Sequence, residues 1–219
     1  MRDIVLAHVA RTRVLRVLDI GCGTGSLLFR LAEAMPSAAL VGIDVSGANV
    51  DAARRGGAGP VNARVEFVAA DYLDYRAEPF DVIVADGVLH LVAADTTVLV
   101  RKLAGDLRAG GVFVCSMPFD CAYNRAFAAL RRGLRKLRSP WLDARILQAG
   151  RVLHGRSMDE AGLRERVPYL YIPPERMMND ALADCFAAAG LDRAADYPMA
   201  STSLSQLKHR VTIFARRHA

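Results

Sequence analysis

Between Arg16 and Gly25 an apolar run, R-V-L-D-I, breaks onto G-C-G-T-G, with a glycine at every second position, and a helical pattern begins at once after it. Few folds accept such a stretch. Glycines so closely spaced mark a backbone that turns sharply, visits positive φ and leaves room where side chains would stand. A strand, a glycine turn and a helix start in succession aim the first N–H groups of the helix at whatever lies beyond the strand end. Thr24 or Ser26 can cap that helix, Leu27, Leu28, Leu31 and Met35 recur at helical spacing, and Pro36 stops it.

The alternation continues along the chain. Residues 40–45 read as a second strand, and Ser46 caps a helix that runs to Gly56-Gly57. Residues 65–69 and 80–85 read as strands three and four, 96–107 as a helix closed by Gly110-Gly111, and 112–116 as strand five. Residues 121–153 are helical and Arg-rich, and 174–189 form a further helix, with Pro at its start and Gly190 past its end. Residues 195–200 and 211–215 are the last strands, and residues 3–13 suit a short helix ahead of the first. Short, nearly continuous apolar strands separated by helices specify a parallel sheet covered on both faces. The expected fold is therefore α/β: a doubly wound, mostly parallel seven-stranded sheet with an antiparallel final strand and a helical insertion after the fifth strand. Such a sheet binds ligands beyond the carboxyl ends of its strands.

Acidic residues gather at those ends. Asp44 closes the second strand with Val45 beside it, where a carboxylate can accept from ribose hydroxyls. Asp71, followed by Tyr72, stands just past the third strand, placed to accept from an exocyclic amine of adenine. Asp86 and Gly87 end the fourth strand, and His90 follows in V-L-H. One acid after a strand is commonly a helix cap. Several in matching places describe one edge of one site.

Together, V-L-D-I-G-C-G-T-G, V-G-I-D-V-S, V-A-A-D, F-D-V-I-V-A-D-G-V-L-H and L-R-A-G-G-V-F-V resemble the consecutive motifs of class I S-adenosylmethionine-dependent methyltransferases, over about residues 14–118. The resemblance implies S-adenosyl-L-methionine as cofactor. It places Gly21, Cys22, Gly23 and Gly25 at the methionine moiety, with Asp19 buttressing the turn. It puts Asp44 and Val45 at the ribose, Asp71 and Tyr72 at the adenine, and Asp86 and Gly87 beside the sulfonium and acceptor. Ser26 stands where a strict dinucleotide G-x-G-x-x-G has its third glycine, which favours this cofactor over NAD. The 219 residues then read as a single methyltransferase domain: 1–118 the cofactor-binding half, 119–175 a helical substrate cap, and 176–219 a C-terminal helix and strand pair.

Methyl transfer demands chiefly that donor and acceptor be held in line, and orientation supplies roughly 7–11 kcal/mol without acid or base. Where the acceptor must lose a proton, His90 is the expected base, since imidazole titrates near neutrality. Tyr169 and Tyr171, in the P-Y-L-Y-I-P-P run, are expected substrate contacts from the cap.

Charge bears on the acceptor. Residues 1–118 carry a net −1 and residues 119–219 a net +7, within the overall +6. Arg125, Arg131, Arg132, Arg135, Lys136 and Arg138 surround an apolar stripe of Phe127, Leu130, Leu134 and Leu137, with no acid in that window. The expected acceptor is a small or carrier-bound organic molecule. RNA or protein held by the Arg-rich helix is the alternative, and the sparse aromatics there do not suit a stacking platform. No N-P-P-Y tetrapeptide follows the fourth strand, which argues against amino-group methylation of bases or glutamine. A non-catalytic binding subunit and a dehydrogenase on the same sheet are the other readings, and a homodimer is compatible with each. Composition excludes further classes. With 53% hydrophobic residues the chain fills a core, yet no apolar run approaches the roughly 18–20 residues of a membrane span. The first 16 residues do not read as a signal peptide. Cys22, Cys115, Cys121 and Cys185 form no C-x-x-C pair, so a cytoplasmic protein without structural metal is expected.

Overall fold

Alternation within the strands decides which side chains enter which layer. In β1 (Arg16–Ile20), Leu18 and Ile20 face one side and Val17 the other; in β4 (Phe80–Asp86), Ile83 and Ala85 part in the same way from Val82 and Val84. All of these are buried, so both faces of the sheet are covered. The computed structural model describes residues 1–9, 15–56, 64–154, 160–178, 181–198 and 207–218.

The remaining strands are β2 (Ala39–Asp44), β3 (Val65–Ala69), β5 (Leu107–Pro118), β6 (Leu191–Pro198) and β7 (His209–Arg216). They form one seven-stranded sheet in the order β3-β2-β1-β4-β5-β7-β6. The first five run parallel, and β7 is antiparallel to β5 and β6. The chain reverses its direction of winding between β1 and β4, and a crevice opens at that point in such sheets.

One face is covered by α4 (Thr96–Asp106) and α8 (Ala181–Ala188), the other by α1 (Arg2–His8), α2 (Ser26–Ala34) and α3 (Gly47–Gly56). On the first face Phe186 of α8 stacks on Phe214 of β7 at 4.1 Å between centroids, with Phe113 of β5 alongside. At the lower end of the sheet, Asp81 accepts from the Arg16 N–H at 2.8 Å and pairs with Arg108 at 3.1 Å. Between β5 and β7 the chain builds a cap of α5 (Ala122–Lys136), α6 (Pro140–His154) and α7 (Glu160–Arg166), closed by the 3-10 turn Val167–Tyr171. The cap has a small core of its own, made of Leu147, Leu163, Val167 and Tyr171.

Four expected elements differ in extent. Strand β5 begins at Leu107, not 112, because Gly110 at φ 70° and a register shift against β4 let the chain carry its glycines inside the strand. The helix expected over 174–189 is a 3-10 turn, Glu175–Met177, and then α8. Strand β6 starts at Leu191; it is an edge strand whose Asp192, Arg193 and Asp196 hide the apolar alternation that would announce it, and 199–200 lie outside the described residues. Helix α1 ends at His8, and 10–13 of its expected span also lie outside the described residues. No helix among the described residues is long and apolar enough to cross a membrane.

Phe186 is 1% exposed and touches two other rings. Phe186→Ala should cost about 3–5 kcal/mol of unfolding free energy. Urea denaturation checks this, and a loss below about 1 kcal/mol would show that α8 does not carry the layer.

Candidate functional site

The glycine turn is held by β2. The Ile43 carbonyl accepts from the N–H groups of both Gly21 (2.8 Å) and Cys22 (3.0 Å), and Asp44 Oδ2 accepts from the Gly23 N–H at 2.9 Å. Gly21, Gly23 and Gly25 have φ of 69°, 55° and 80°, a region that side chains strain to enter. Space adds a second demand at two of them. A Cβ on Gly21 would stand 2.7 Å from Val88 Cγ2, and one on Gly25 would stand 2.6 Å from Phe67 Cζ. At Gly23 nothing lies within 4 Å of that position, and Gly23 lines a cavity at the strand ends.

That cavity is about 860 Å³, the size of a small-molecule site. Its strand-end wall holds Gly21, Gly23, Asp44, Val45, Asp71, Tyr72, Asp86, Gly87 and His90, so nine of the expected residues converge there. Tyr169 faces them from the cap. The four others take different places. Asp19 is buried in β1 behind the turn, and Gly25 starts α2 against Phe67 and Phe29. Cys22 turns its thiol inward toward Gly42 and Leu28, and burial followed by the charges of Asp19 and Asp44 pushes that thiol up. Tyr171 packs in the core of the cap: its hydroxyl donates to Asp143 at 2.5 Å, and burial together with that bond pushes it up to about 12.

The carboxylates of the strand-end wall divide their acceptor capacity. Asp44 Oδ1 takes the Ser46 N–H at 2.9 Å and the Asn49 amide at 3.4 Å, so with Gly23 on Oδ2 about one of its roughly four acceptor positions stays open. Asp71 accepts from its own turn, at the Leu73 N–H, 2.8 Å. Val45, 59% exposed, offers bare apolar surface beside Asp44. Asp19 carries the strongest electrostatic signature. Burial, then the charges of Asp86 and Asp44, raise its carboxyl well above the usual carboxylate range. Asp44 and Asp86, at the ends of β2 and β4, are the charges that make this edge negative.

The acceptor end contains residues that sequence alone did not single out. His209, the first residue of β7, places Nδ1 2.8 Å from Ser116 Oγ at the end of β5. Its ring lies edge-on to His90 at 6.3 Å, and a Cβ on Gly87 would stand 3.0 Å from its Cε1. Burial lowers its pKa and Arg131 lowers it further, while Asp86 opposes them. The register of His209 is fixed by Asn124, a fully buried residue of α5. Its Nδ2 donates to the Phe119 and Lys208 carbonyls, and its Oδ1 accepts from the Lys208 N–H. Ser116 and His209 are far apart in sequence, and no local pattern links them.

A second hollow of about 640 Å³ lies between α6 and α7, remote from the strand ends. Three arginines on its wall, Arg138, Arg151 and Arg164, pair with Asp143 or Glu160. Among the described residues no cluster of three or more metal-ligating side chains occurs.

The strand-end residues fit S-adenosylmethionine. The open space beside Gly23 takes a ligand where any other residue would fill it, Asp44 retains acceptor capacity for a ribose, and Val45 offers an apolar face. The negative edge suits a ligand carrying ammonium and sulfonium charges and opposes a pyrophosphate.

A family model described as "Methyltransferase domain" matches residues 18–113. A ubiquinone biosynthesis O-methyltransferase of Chelativorans sp. (strain BNC1) is 31% identical over 197 residues, covering 79% of this chain and 72% of that protein. A trans-aconitate 2-methyltransferase of Azoarcus sp. (strain BH72) is 36% identical over 141 residues, 64% of this chain and 51% of that protein. The chain thus spans about half the length of the trans-aconitate 2-methyltransferases it matches. The solved N-methyltransferase NodS from Bradyrhizobium japonicum WM9 superposes with TM-score 0.62 at 16% identity, over 99% of this chain and 94% of that one. Magnesium protoporphyrin IX methyltransferase from Synechocystis PCC 6803 does so with TM-score 0.62 at 17% identity, over 98% and 79%. At such identities these structures speak for the fold alone.

A cationic ligand docked at the negative edge lowers the pKa of Asp19. Binding of S-adenosylmethionine should therefore release a proton and tighten as pH rises, until Asp19 is ionised in the free protein. Calorimetry in buffers of different ionisation enthalpy reads this directly. Asp19→Asn should abolish the release, and proton uptake by the unsubstituted protein would contradict the assignment.

Proposed function

The chain belongs to the class I S-adenosylmethionine-dependent methyltransferases, and on that footing we propose that it transfers a methyl group to a small or carrier-bound organic acceptor. The observation that carries this is one cavity bounded by the glycine turn, strand-end acids and two histidines on one side and by the cap on the other. When bound, S-adenosylmethionine supplies an electrophilic methyl on a sulfonium. The protein's part is to hold the acceptor in line with it and keep water away. Asp44 holds the ribose and Asp71 the adenine amine, while Val45 and Tyr72 flank them. Gly87, with no side chain, lets the acceptor come close to the end of β4.

Where the acceptor is a hydroxyl, its proton needs a destination. His209 suits the role, because Ser116 engages Nδ1 and orients the ring, leaving Nε2 as the other nitrogen. Its lowered pKa keeps it neutral, and so able to accept a proton, at pH 7. His90, buried edge-on beside it, completes that wall and is the second imidazole available as a base.

The basic helix supports a small acceptor over a nucleic acid. Although no acid lies within its window, acids from elsewhere reach it: Arg125 pairs with Asp120, Arg132 with Glu175 and Arg138 with Asp143. A face already carrying such pairs releases fewer counterions on binding phosphates.

Calorimetry should give micromolar binding of S-adenosylmethionine, weakened about tenfold or more by Asp44→Ala. Micromolar binding of NAD in its place would overturn the reading. Turnover, followed as S-adenosylhomocysteine formed over a panel of small phenols, carboxylic acids and amines, should for a phenol rise with pH through the lowered pKa of His209 and then level off. His209→Gln should remove that limb with cofactor affinity unchanged; its loss in His90→Gln alone would assign the proton to His90.

A further inference from the structure

Several cap arginines away from the cavity have a carboxylate partner; among the described residues Arg131, on its wall, does not. Arg132 reaches Glu175 at 3.0 Å, Arg151 reaches Glu160 at 2.5 Å and Arg164 reaches Glu160 at 2.8 Å. Arg131 lines the strand-end cavity, donates from Nη1 to the Ile172 carbonyl at 3.0 Å, and lies over the Phe127 ring at 5.6 Å. Its Nε is buried without an acceptor, and no carboxylate among the described residues comes within 4.0 Å. Burial lowers its pKa, the sign of a cation removed from water without compensation. A second cavity-lining arginine, Arg166 at the end of α7, likewise has no ion-pair partner among the described residues.

Buried cations are normally paired, because desolvation without a counter-ion is costly. A guanidinium held in place by one carbonyl, stacked on a ring and left unpaired at a cavity wall is arranged to receive an anion. Its surroundings restrict which anion that is. Arg131 sits close enough to His209 to lower its pKa, and Asp86 acts on the same histidine from β4. Arg131 thus shares the His209 end of the cavity with Asp86, while Asp44 holds the glycine turn. The cavity holds carboxylates at the ends of β2 and β4 together with guanidinium groups from the cap.

We propose that Arg131 is the core of an anion subsite, so that the methyl acceptor carries a carboxylate or phosphate group that Arg131 grips while the reacting atom points toward Asp86 and Gly87. This rests on the methyl-transfer reading above. It also explains why the guanidinium is fixed on Ile172: a preset donor loses less freedom when the anion arrives.

The test titrates the full chain, alone and saturated with S-adenosylhomocysteine, with benzoate, tricarballylate and inorganic phosphate, and with benzamide as the neutral twin of benzoate. At least one anion should bind and benzamide should not. Arg131→Gln should weaken that anion about 10- to 100-fold while S-adenosylhomocysteine affinity stays within about twofold. Arg131→Lys, which keeps the charge, should recover part of the loss and serves if the glutamine variant fails to fold. Tightest binding of phosphate or of a carboxylate identifies the group carried. Equal affinity for benzamide, no binding of any anion, or an unaffected Arg131→Gln variant would overturn the proposal. So would an Arg131→Gln variant that loses S-adenosylhomocysteine but keeps 5′-methylthioadenosine, since Arg131 would then hold the cofactor's own carboxylate. Failure of S-adenosylhomocysteine to bind at all would sink the methyl-transfer reading instead, and the titrations of the unliganded chain would still decide the anion subsite.

Discussion

Everything at the cofactor end depends on how β2 holds the glycine turn. One carbonyl, that of Ile43, accepts from two successive N–H groups, and one carboxylate, that of Asp44, accepts from the third residue of the turn. These bonds run between neighbouring parallel strands, so the turn cannot shift without moving the end of β2. The same bonds orient Asp44, which makes the turn and the acid one unit. Positive φ at three glycines is the conformational cost of that geometry, and the close approaches of Val88 and Phe67 show how little slack surrounds it.

Charge then gives the cavity a direction. Asp19 is buried beside Asp44 and Asp86, and their mutual repulsion is relieved by protonation or by a cation. Beside Asp86, His209 is kept neutral by burial and by Arg131, so the positive charge there resides on guanidinium. On the reading proposed above, a cationic methyl donor is drawn to the carboxylates and an anionic acceptor to the guanidinium, and orientation is the main contribution a methyltransferase must supply.

The half of the site that is local in sequence was legible from it. The glycine turn, Asp44, Asp71 and Asp86 each follow a short apolar run, and a parallel sheet brings the ends of such runs to one edge. The acceptor end was not legible, for a physical reason. His209 reaches Ser116 only because β7 is inserted antiparallel between β5 and β6, and that placement is decided by packing of Phe214 on Phe186 and Phe113. Arg131 looked like one cation of a basic surface, because the acids that pair with its neighbours come from Asp120, Asp143 and Glu175 outside the helix. Tyr171 and Tyr169 looked equivalent from their spacing, yet in a 3-10 turn they point to different places: one into the core of the cap, the other to the cavity.

The joint between cap and sheet is what makes the acceptor end a site. Asn124, Ala128 and Arg131 recur at helical spacing along α5, and the first two are buried while the third reaches the cavity. Asn124 grips the backbone of Lys208, the residue before His209, with bonds in both directions. One buried amide therefore sets both the face of α5 that presents Arg131 and the start of the strand that presents His209. Losing it would leave the Phe119 and Lys208 carbonyls and the Lys208 N–H without this partner. Beyond that joint the cap is held by a small core of its own. Changes in α6 and α7 can then reshape the acceptor space while the glycine turn, bonded to β2 and packed on Val88 and Phe67, keeps the cofactor end as it is.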